Sequence, residues 1–238
     1  MGNQFIRTES LIGADALQKL EHSRVAIFGI GGVGGYVAEA LSRAGIGNID
    51  LVDNDDINIT NVNRQIFALH STIGKPKIEV AKNRMLDINP NIKITTYKIF
   101  FSASTSNIFN FNSYDYIIDA IDSVSGKIEL ILKAKETNTP IISCMGTGNK
   151  LYPEKFEIDD IYKTSYCPLA RIMKKDLKKR NIKKLKVLYS KEHPINTNDC
   201  EINQNENKHK VKGSVSFMPP VAGLMIAGEV IKDIANVK

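Results

Sequence analysis

Residues 24–65 read RVAIFGIGGVGGYVAEALSRAGIGNIDLVDNDDINITNVNRQ, and the order of signals in this stretch decides the fold. Arg24–Phe28 is an apolar, β-branched run of strand length. Gly29, Gly31, Gly32 and Gly34 then give G-x-G-G-x-G, and from Val33 to Ala44 apolar and polar residues alternate at helical spacing. A dinucleotide fold needs strand, glycine turn and helix in that order. The glycines let the backbone approach a phosphate with no Cβ in the way, and the amides and positive end of the following helix face the anion. A second apolar strand, Asn48–Val52, runs into Asp53. That is about 20 residues past the glycines, where a carboxylate for the ribose hydroxyls is expected. These features predict a bound adenine nucleotide, and a nicotinamide dehydrogenase would share them.

The residues after Asp53 separate the two. The chain continues Asp53-Asn54-Asp55-Asp56, then Asn61-Val62-Asn63-Arg64-Gln65, and reaches Lys77 beyond Gly74 and Pro76. Much later Asp122 follows a further apolar run in Ile117-Ile118-Asp119-Ala120-Ile121-Asp122. Two cations and several carboxylates thus converge on the strand ends of one nucleotide site. Hydride transfer needs no such set, whereas cutting a nucleoside triphosphate does: cations neutralise the phosphates and a carboxylate holds magnesium. Lys77 near a helix start opposes the helix dipole, which points to a phosphate partner. On these residues the chain resembles the ubiquitin-activating-enzyme-like superfamily, whose members adenylate carboxylates with ATP. The resemblance implies a homodimer in which an arginine near the N-terminus reaches the partner subunit's ATP; Arg7 is the nearest candidate, with a solvated surface arginine as the alternative reading.

With 238 residues, 42% of them hydrophobic, the chain can bury a substantial core as one large domain or a domain with an appendage. No apolar run approaches a membrane span, and MGNQFIRTES has no signal-peptide core, so a soluble cytoplasmic protein is expected. Cys144, Cys167 and Cys200 are too scattered for a disulfide framework or a C-x-x-C zinc site. Cys144 reads as a small buried residue and Cys200 as a loop cysteine open to reaction.

The periodicity predicts an amphipathic helix over Ser10–Leu20 capped by Ser10, a helix around Ile66 and Phe67, and a helix at Pro76–Ile88. Strands are expected at Ile92–Ile99, Tyr114–Ala120 and Pro140–Met145, with a helix at Val124–Lys135. This rhythm predicts an α/β fold: a Rossmann-like, doubly wound, mostly parallel sheet with helices on both faces. Residues 1–148 form the nucleotide-binding adenylation region. Residues 149–238 form an extension of the same continuous domain: antiparallel strands (Phe156–Ile158 crossing the other way, Lys186–Ser190), a lysine-rich helix at Pro168–Arg180, and a polar stretch Lys191–Lys212 closed by Pro219-Pro220. Last comes a small-residue helix, Val221–Ile234, suited to close packing, including a dimer interface.

Between Arg171 and His193 ten lysines and arginines face only Asp176 and Glu192, in a chain of net charge +6, so the rest of the protein is slightly acidic. Lys174, Lys175, Lys178, Lys179, Arg180, Lys183 and Lys184 are the candidate RNA contacts. Tyr189 is the one aromatic nearby, so phosphate attraction is indicated and base stacking is not. Without C-x-x-C pairs the chain departs from branches that activate sulfur-carrier proteins. Lys163-Thr164, Pro168-Leu169-Ala170, the lysine-rich helix, Val187–Glu192 and IIDAIDS at 117–123 are similar to the tRNA threonylcarbamoyladenosine dehydratase family, a likeness running from Arg7 to Asp233.

That resemblance implies ATP-dependent cyclisation of the threonylcarbamoyl group on adenosine 37 of tRNA through an acyl-adenylate. In its terms Asp53 holds the ribose; Gly29, Gly31, Gly32 and Gly34 admit the phosphates; Arg64 and Lys77 stabilise charge; Asp122 holds Mg2+; and Asp55, Asn61 and Gln65 order the site. A monovalent cation and a sulfur-transfer or acceptor protein are left open. A sulfur-carrier adenylyltransferase, a nicotinamide oxidoreductase and a non-catalytic RNA-binding module are the alternatives.

Overall fold

The computed structural model describes residues 4–195 and 213–237; Cys200 and residues 196–212 of the polar stretch lie outside them. Among the described residues one sheet carries β1 (Arg24–Phe28), β2 (Asn48–Val52), β3 (Lys93–Tyr97), β4 (Tyr116–Asp119), β5 (Ile141–Cys144), β6 (Phe156–Asp160) and β7 (Lys186–Ser190). Their order is β3-β2-β1-β4-β5-β7-β6. Every neighbouring pair is parallel except β6 on β7. The expected doubly wound sheet is present, and its antiparallel part is the β6–β7 pair at one edge.

Strand side chains alternate between the two faces. Val25 and Ile27 of β1 and Tyr116 and Ile118 of β4 enter one core layer, with α2 (Ala14–His22), α3 (Gly34–Ala44), α4 (Lys77–Ile88) and α7 (Met218–Ala235). Ala26, Phe28 and Ile117 enter the other, under α5 (Val124–Glu136) and α6 (Pro168–Lys179). Burial on both faces is why these strands read as continuous apolar runs rather than half-polar ones.

The connections set the nucleotide crevice. Gly29 has φ 90°, and a Cβ on it would lie 2.6 Å from the Ala120 carbonyl oxygen. A Cβ on Gly34 would lie 1.8 Å from the carbonyl oxygen of Gly29. The turn after β1 therefore folds against itself and against the turn after β4, which no larger residue permits. β2 lies on one side of β1 and β4 on the other, so this is the point where strand order reverses and ligands bind.

A buried polar clamp holds the β4 and β5 ends. Asp119 and Lys127 are 0% and 1% exposed. The Lys127 ammonium donates to Asp119 Oδ1 at 3.0 Å and to the Cys144 carbonyl at 2.8 Å. The Ser143 hydroxyl donates to the other Asp119 oxygen, and the Ile121 amide donates to Oδ1 at 3.2 Å.

Three local expectations are corrected. The Ser10–Leu20 helix is split into α1 (Ile6–Ile12) and α2 by Gly13 at φ 87°, and Ser10 lies inside α1 instead of capping. Glycine makes that break because it reaches the left-handed region at no steric cost. No helix forms around Ile66 and Phe67. The segment is turns with a short 3-10 helix at Ile59–Asn61, where the Asn61 side chain accepts the Asn58 amide at 3.0 Å and that of Asn58 accepts the Thr60 amide at 3.0 Å. Asparagine side chains compete for backbone amides in this way.

Pro219 and Pro220 open α7 rather than close a loop, since a first turn needs no amide partner. Gly223 of α7 packs within the chain: a Cβ there would lie 2.5 Å from the Val33 carbonyl oxygen. Cys144 is buried, as expected. No helix among the described residues is long and apolar enough to cross a membrane.

Lys127→Met leaves Asp119 buried without its cation and should cost about 3–5 kcal/mol of stability. Urea unfolding measures it; a loss below about 1 kcal/mol would show that the clamp is not a structural fastening.

Candidate nucleotide and adenylation site

A cavity of about 530 Å³ opens over the carboxyl ends of β1, β2 and β4. Ten of the residues singled out in the sequence line it: Gly29, Gly31, Gly32, Asp53, Asp55, Asn61, Arg64, Gln65, Lys77 and Asp122. Gly34 does not; it is spent on the backbone crossing. Gly31 is the open glycine, since a Cβ there would meet only the Gln65 side-chain nitrogen, at 3.8 Å. Arg7 lies exposed on α1, outside the cavity.

Asp53 ends β2 with its carboxylate turned inward. It accepts the Ile30 amide at 2.6 Å and the Asp55 amide at 2.8 Å, and Lys77 Nζ stands 3.9 Å away. Burial raises its pKa above the ordinary aspartate value, while Lys77 and the two amides pull the other way. Each carboxylate oxygen has two acceptor positions, so two remain for hydroxyls of a sugar. Lys77 is buried and pairs with Asp55 at 2.7 Å. The Arg64 guanidinium is folded onto its own turn, donating to the Thr60 carbonyl and to Asn63 Oδ1, both at 2.8 Å. Asn61 spends its side-chain oxygen on the Asn58 amide. Gln65 is buried with Oε1 unpartnered, an acceptor still to be satisfied.

Asp122 is exposed on the cavity wall three residues after the clamped Asp119, with no hydrogen bond or ion pair among the described residues. No cluster of three or more His, Cys, Asp or Glu able to hold a metal occurs among them. A cation here would take most of its ligands from phosphate and water, the usual habit of magnesium at nucleotides.

The sequence reading missed six contributors. Ile99, Phe100 and Phe101 form an apolar wall beside Asp53, with Phe100 56% exposed. They follow a strand that ends at Tyr97, and adjacency to Asp53 is not visible in one dimension. Thr147 supplies the opposite wall. The Asp119–Lys127 pair had a signal: a carboxylate inside an apolar strand demands a partner.

The basic residues divide. α6 begins beside the cavity end, where a Cβ on Gly146 would lie 4.0 Å from Cys167 Sγ, and runs back toward the start of β7. Lys183 and Lys184 lie beside Ile158, Asp159 and Asp160 at the opposite sheet end, whereas Arg180 shares a cavity with Ser102–Ser104 and Val124–Ser125 at the start of α5, and the ammonium of Lys174 is held by the Thr164 carbonyl at 2.6 Å. Lys175 is exposed midway along the helix.

Residues 5–238 match the ThiF family. A Bacillus subtilis (strain 168) protein, tRNA threonylcarbamoyladenosine dehydratase, is 43% identical over 242 residues, covering 98% of this chain and 95% of the relative. The protein of that name from Escherichia coli (strain K12) is 39% identical over 175 residues, covering 74% of this chain and 65% of the relative. The crystal structure of E. coli tRNA N6-threonylcarbamoyladenosine dehydratase in complex with ATP superposes with a TM-score of 0.87 at 30% identity, covering 98% and 94% of the two chains.

A contact from Asp53 to two ribose hydroxyls requires the ionised carboxylate, and its folded pKa is raised. ATP affinity should be full at neutral pH and fall as pH drops through that raised value, beginning above the ordinary aspartate range. For stability the sign is opposite: the raised carboxyl favours the folded state at low pH, and that contribution is lost as pH rises through the folded value. Calorimetric titration with ATP across pH, on wild type and Asp53→Asn, checks the binding effect; the variant should bind weakly and lose the acid limb. An identical profile in both would remove Asp53 from the ligand contact.

Proposed function

This chain belongs to the ThiF family, and we propose that it is an ATP-dependent tRNA threonylcarbamoyladenosine dehydratase. The observation that carries the reading is the gathering of Gly31, Asp53, Arg64, Lys77 and Asp122 around one cavity, in a chain like the ATP-bound dehydratase over nearly its whole length. A carboxylate is a poor electrophile, and joining it to AMP supplies the missing leaving group. One oxygen of the threonylcarbamoyl carboxylate attacks the α-phosphorus of ATP and pyrophosphate departs. The side chain's own nitrogen or oxygen then attacks the acyl carbon, AMP leaves with the carboxylate oxygen, and a proton is released. The nucleoside loses the elements of water. Ring closure is intramolecular, so holding the side chain folded supplies the rate without a protein nucleophile.

Asp53 holds the ribose hydroxyls and Gly31 leaves room for the phosphates. Arg64, released from its own turn, and Lys77, drawn from Asp55, stabilise charge on the α-phosphate and the departing pyrophosphate. Gln65 Oε1 takes a donor from the bound nucleotide. Asp122 is the protein ligand for Mg2+, which supplies charge neutralisation to the phosphates when bound. We read residues 1–148 as the adenylating part and 149–238 as its extension toward tRNA, in a cytoplasmic protein. We read the active species as a homodimer, with Arg7 offered to the partner's nucleotide. Exposed Ile6, Leu11 and Leu224 give α1 and α7 apolar surface for such a contact. Nothing in this chemistry calls for a monovalent cation or a sulfur-transfer protein.

The test is incubation with ATP, magnesium and threonylcarbamoyl-modified tRNA, following AMP release and loss of one water from the nucleoside. AMP formed only with a small carrier protein ending in Gly-Gly would transfer the reading to a sulfur-carrier adenylyltransferase; ADP and free phosphate as products would end it. Asp122→Ala should lower turnover at least about 100-fold with the fold intact. Unchanged activity would take Asp122 out of the mechanism.

A further inference from the structure

The strand order gives the site a direction. Asp53 stands at the end of β2, Gly31 follows β1 and Asp122 follows β4. With ribose on the β2 side, an attacking carboxylate comes from the β5 and β7 side. On that side, beyond Thr147, a second cavity of about 360 Å³ lies between residues 164–168 and Arg171 of α6. Gly146, next to Thr147 of the first cavity, approaches Cys167 of the second, where a Cβ on it would lie 4.0 Å from Sγ, so the two cavities are neighbours.

At the mouth of this cavity two aromatic rings meet that are far apart in sequence. The centroids of Tyr166 and His193 are 3.9 Å apart with the planes tilted by 46°. Both residues are exposed, Tyr166 by 57%. Arg171, one turn into α6, is exposed and has no hydrogen bond or ion pair among the described residues. The Lys174 ammonium, bonded to the Thr164 carbonyl, braces the opposite wall. Tyr189, the aromatic that the sequence placed near the lysines, is buried and donates to Glu157, so it cannot meet a base. The exposed aromatic surface on this side is instead the Tyr166–His193 pair, which the sequence did not bring together.

We propose that Tyr166 and His193 form a stacking platform for an unpaired base flanking the modified adenosine, with Arg171 on the adjoining phosphate. The proposal rests on the tRNA reading above. Unpaired RNA is held by aromatic faces and by cations on its backbone, and a loop base next to the reacting nucleoside falls within reach of a platform on the β5 and β7 side of the ATP cavity. The exposed cations at the far end of α6 and before β7 then serve the rest of the tRNA through long-range attraction rather than through the reacting nucleotide.

Tyr166 has φ 55°, so Tyr166→Asn is the ring-removing variant of choice, because asparagine tolerates that backbone, and Tyr166→Trp retains a stacking face. Fluorescence anisotropy with an anticodon stem-loop RNA at fixed salt measures binding without the reaction. Tyr166→Asn should bind about 10-fold more weakly and Tyr166→Trp like wild type. Arg171→Ala should lower the salt slope by about one. KM for ATP should not move in any of them. Tyr166→Asn binding within about twofold of wild type, or wild type failing to bind the stem-loop, overturns the platform. Wild type that binds the stem-loop yet releases no AMP with modified tRNA sinks the functional reading, and the binding data then judge the platform alone.

Discussion

The close approach of the turn after β1 to the turn after β4 is the constraint on which the rest of the molecule depends. No atom can be added at Gly29 or Gly34 without striking the carbonyl of Ala120 or of Gly29 itself. This brings the carboxyl ends of two adjacent strands close together and opens the crevice where the order of the sheet reverses. The Asp119–Lys127 clamp secures the same place from below, tying β4, β5 and α5 together within three residues of Asp122. A site carved at this junction inherits the rigidity of the sheet, while the residues that meet the ligand lie on turns just outside it.

The charges around the cavity are held in reserve. Lys77 is buried against Asp55, Arg64 leans on its own turn, and Asp53 is occupied by two backbone amides. In the proposed reading a polyphosphate competes for the two cations, and a ribose uses the remaining acceptor positions of Asp53. Each cation must leave its present partner to receive an anion, and the burial of Lys77 strengthens the contact it then makes. The raised pKa of Asp53 has the same origin: a carboxyl taken from water before its ligand arrives.

The lysine-rich segment illustrates how topology divides a one-dimensional patch. α6 starts at the cavity end of the sheet and leaves it, so about 16 Å of helix separates its first residue from its last. Charges that are neighbours in the sequence therefore lie in different regions of the surface. Tyr166 and His193, absent from that patch, meet because β6 carries the chain to the far edge and residues 161–167 bring it back beside the end of β7.

Much of this protein could be read in one dimension. The glycine turn, the two apolar strands and Asp53 specified the parallel sheet and the nucleotide, because backbone sterics and strand burial act locally. Arg64, Lys77 and Asp122 were legible as residue types out of place in a redox fold, and the chain brings all three to one cavity. What the tertiary structure alone decided lies in contacts across long separations. It broke one expected helix at Gly13, replaced another with asparagine turns, and spent Gly34 and Gly223 on backbone contact. It buried Tyr189 while exposing Tyr166 against His193. The reason is physical: periodicity records which face of an element is apolar, whereas the identity of the surface against it is settled only when the whole sheet closes.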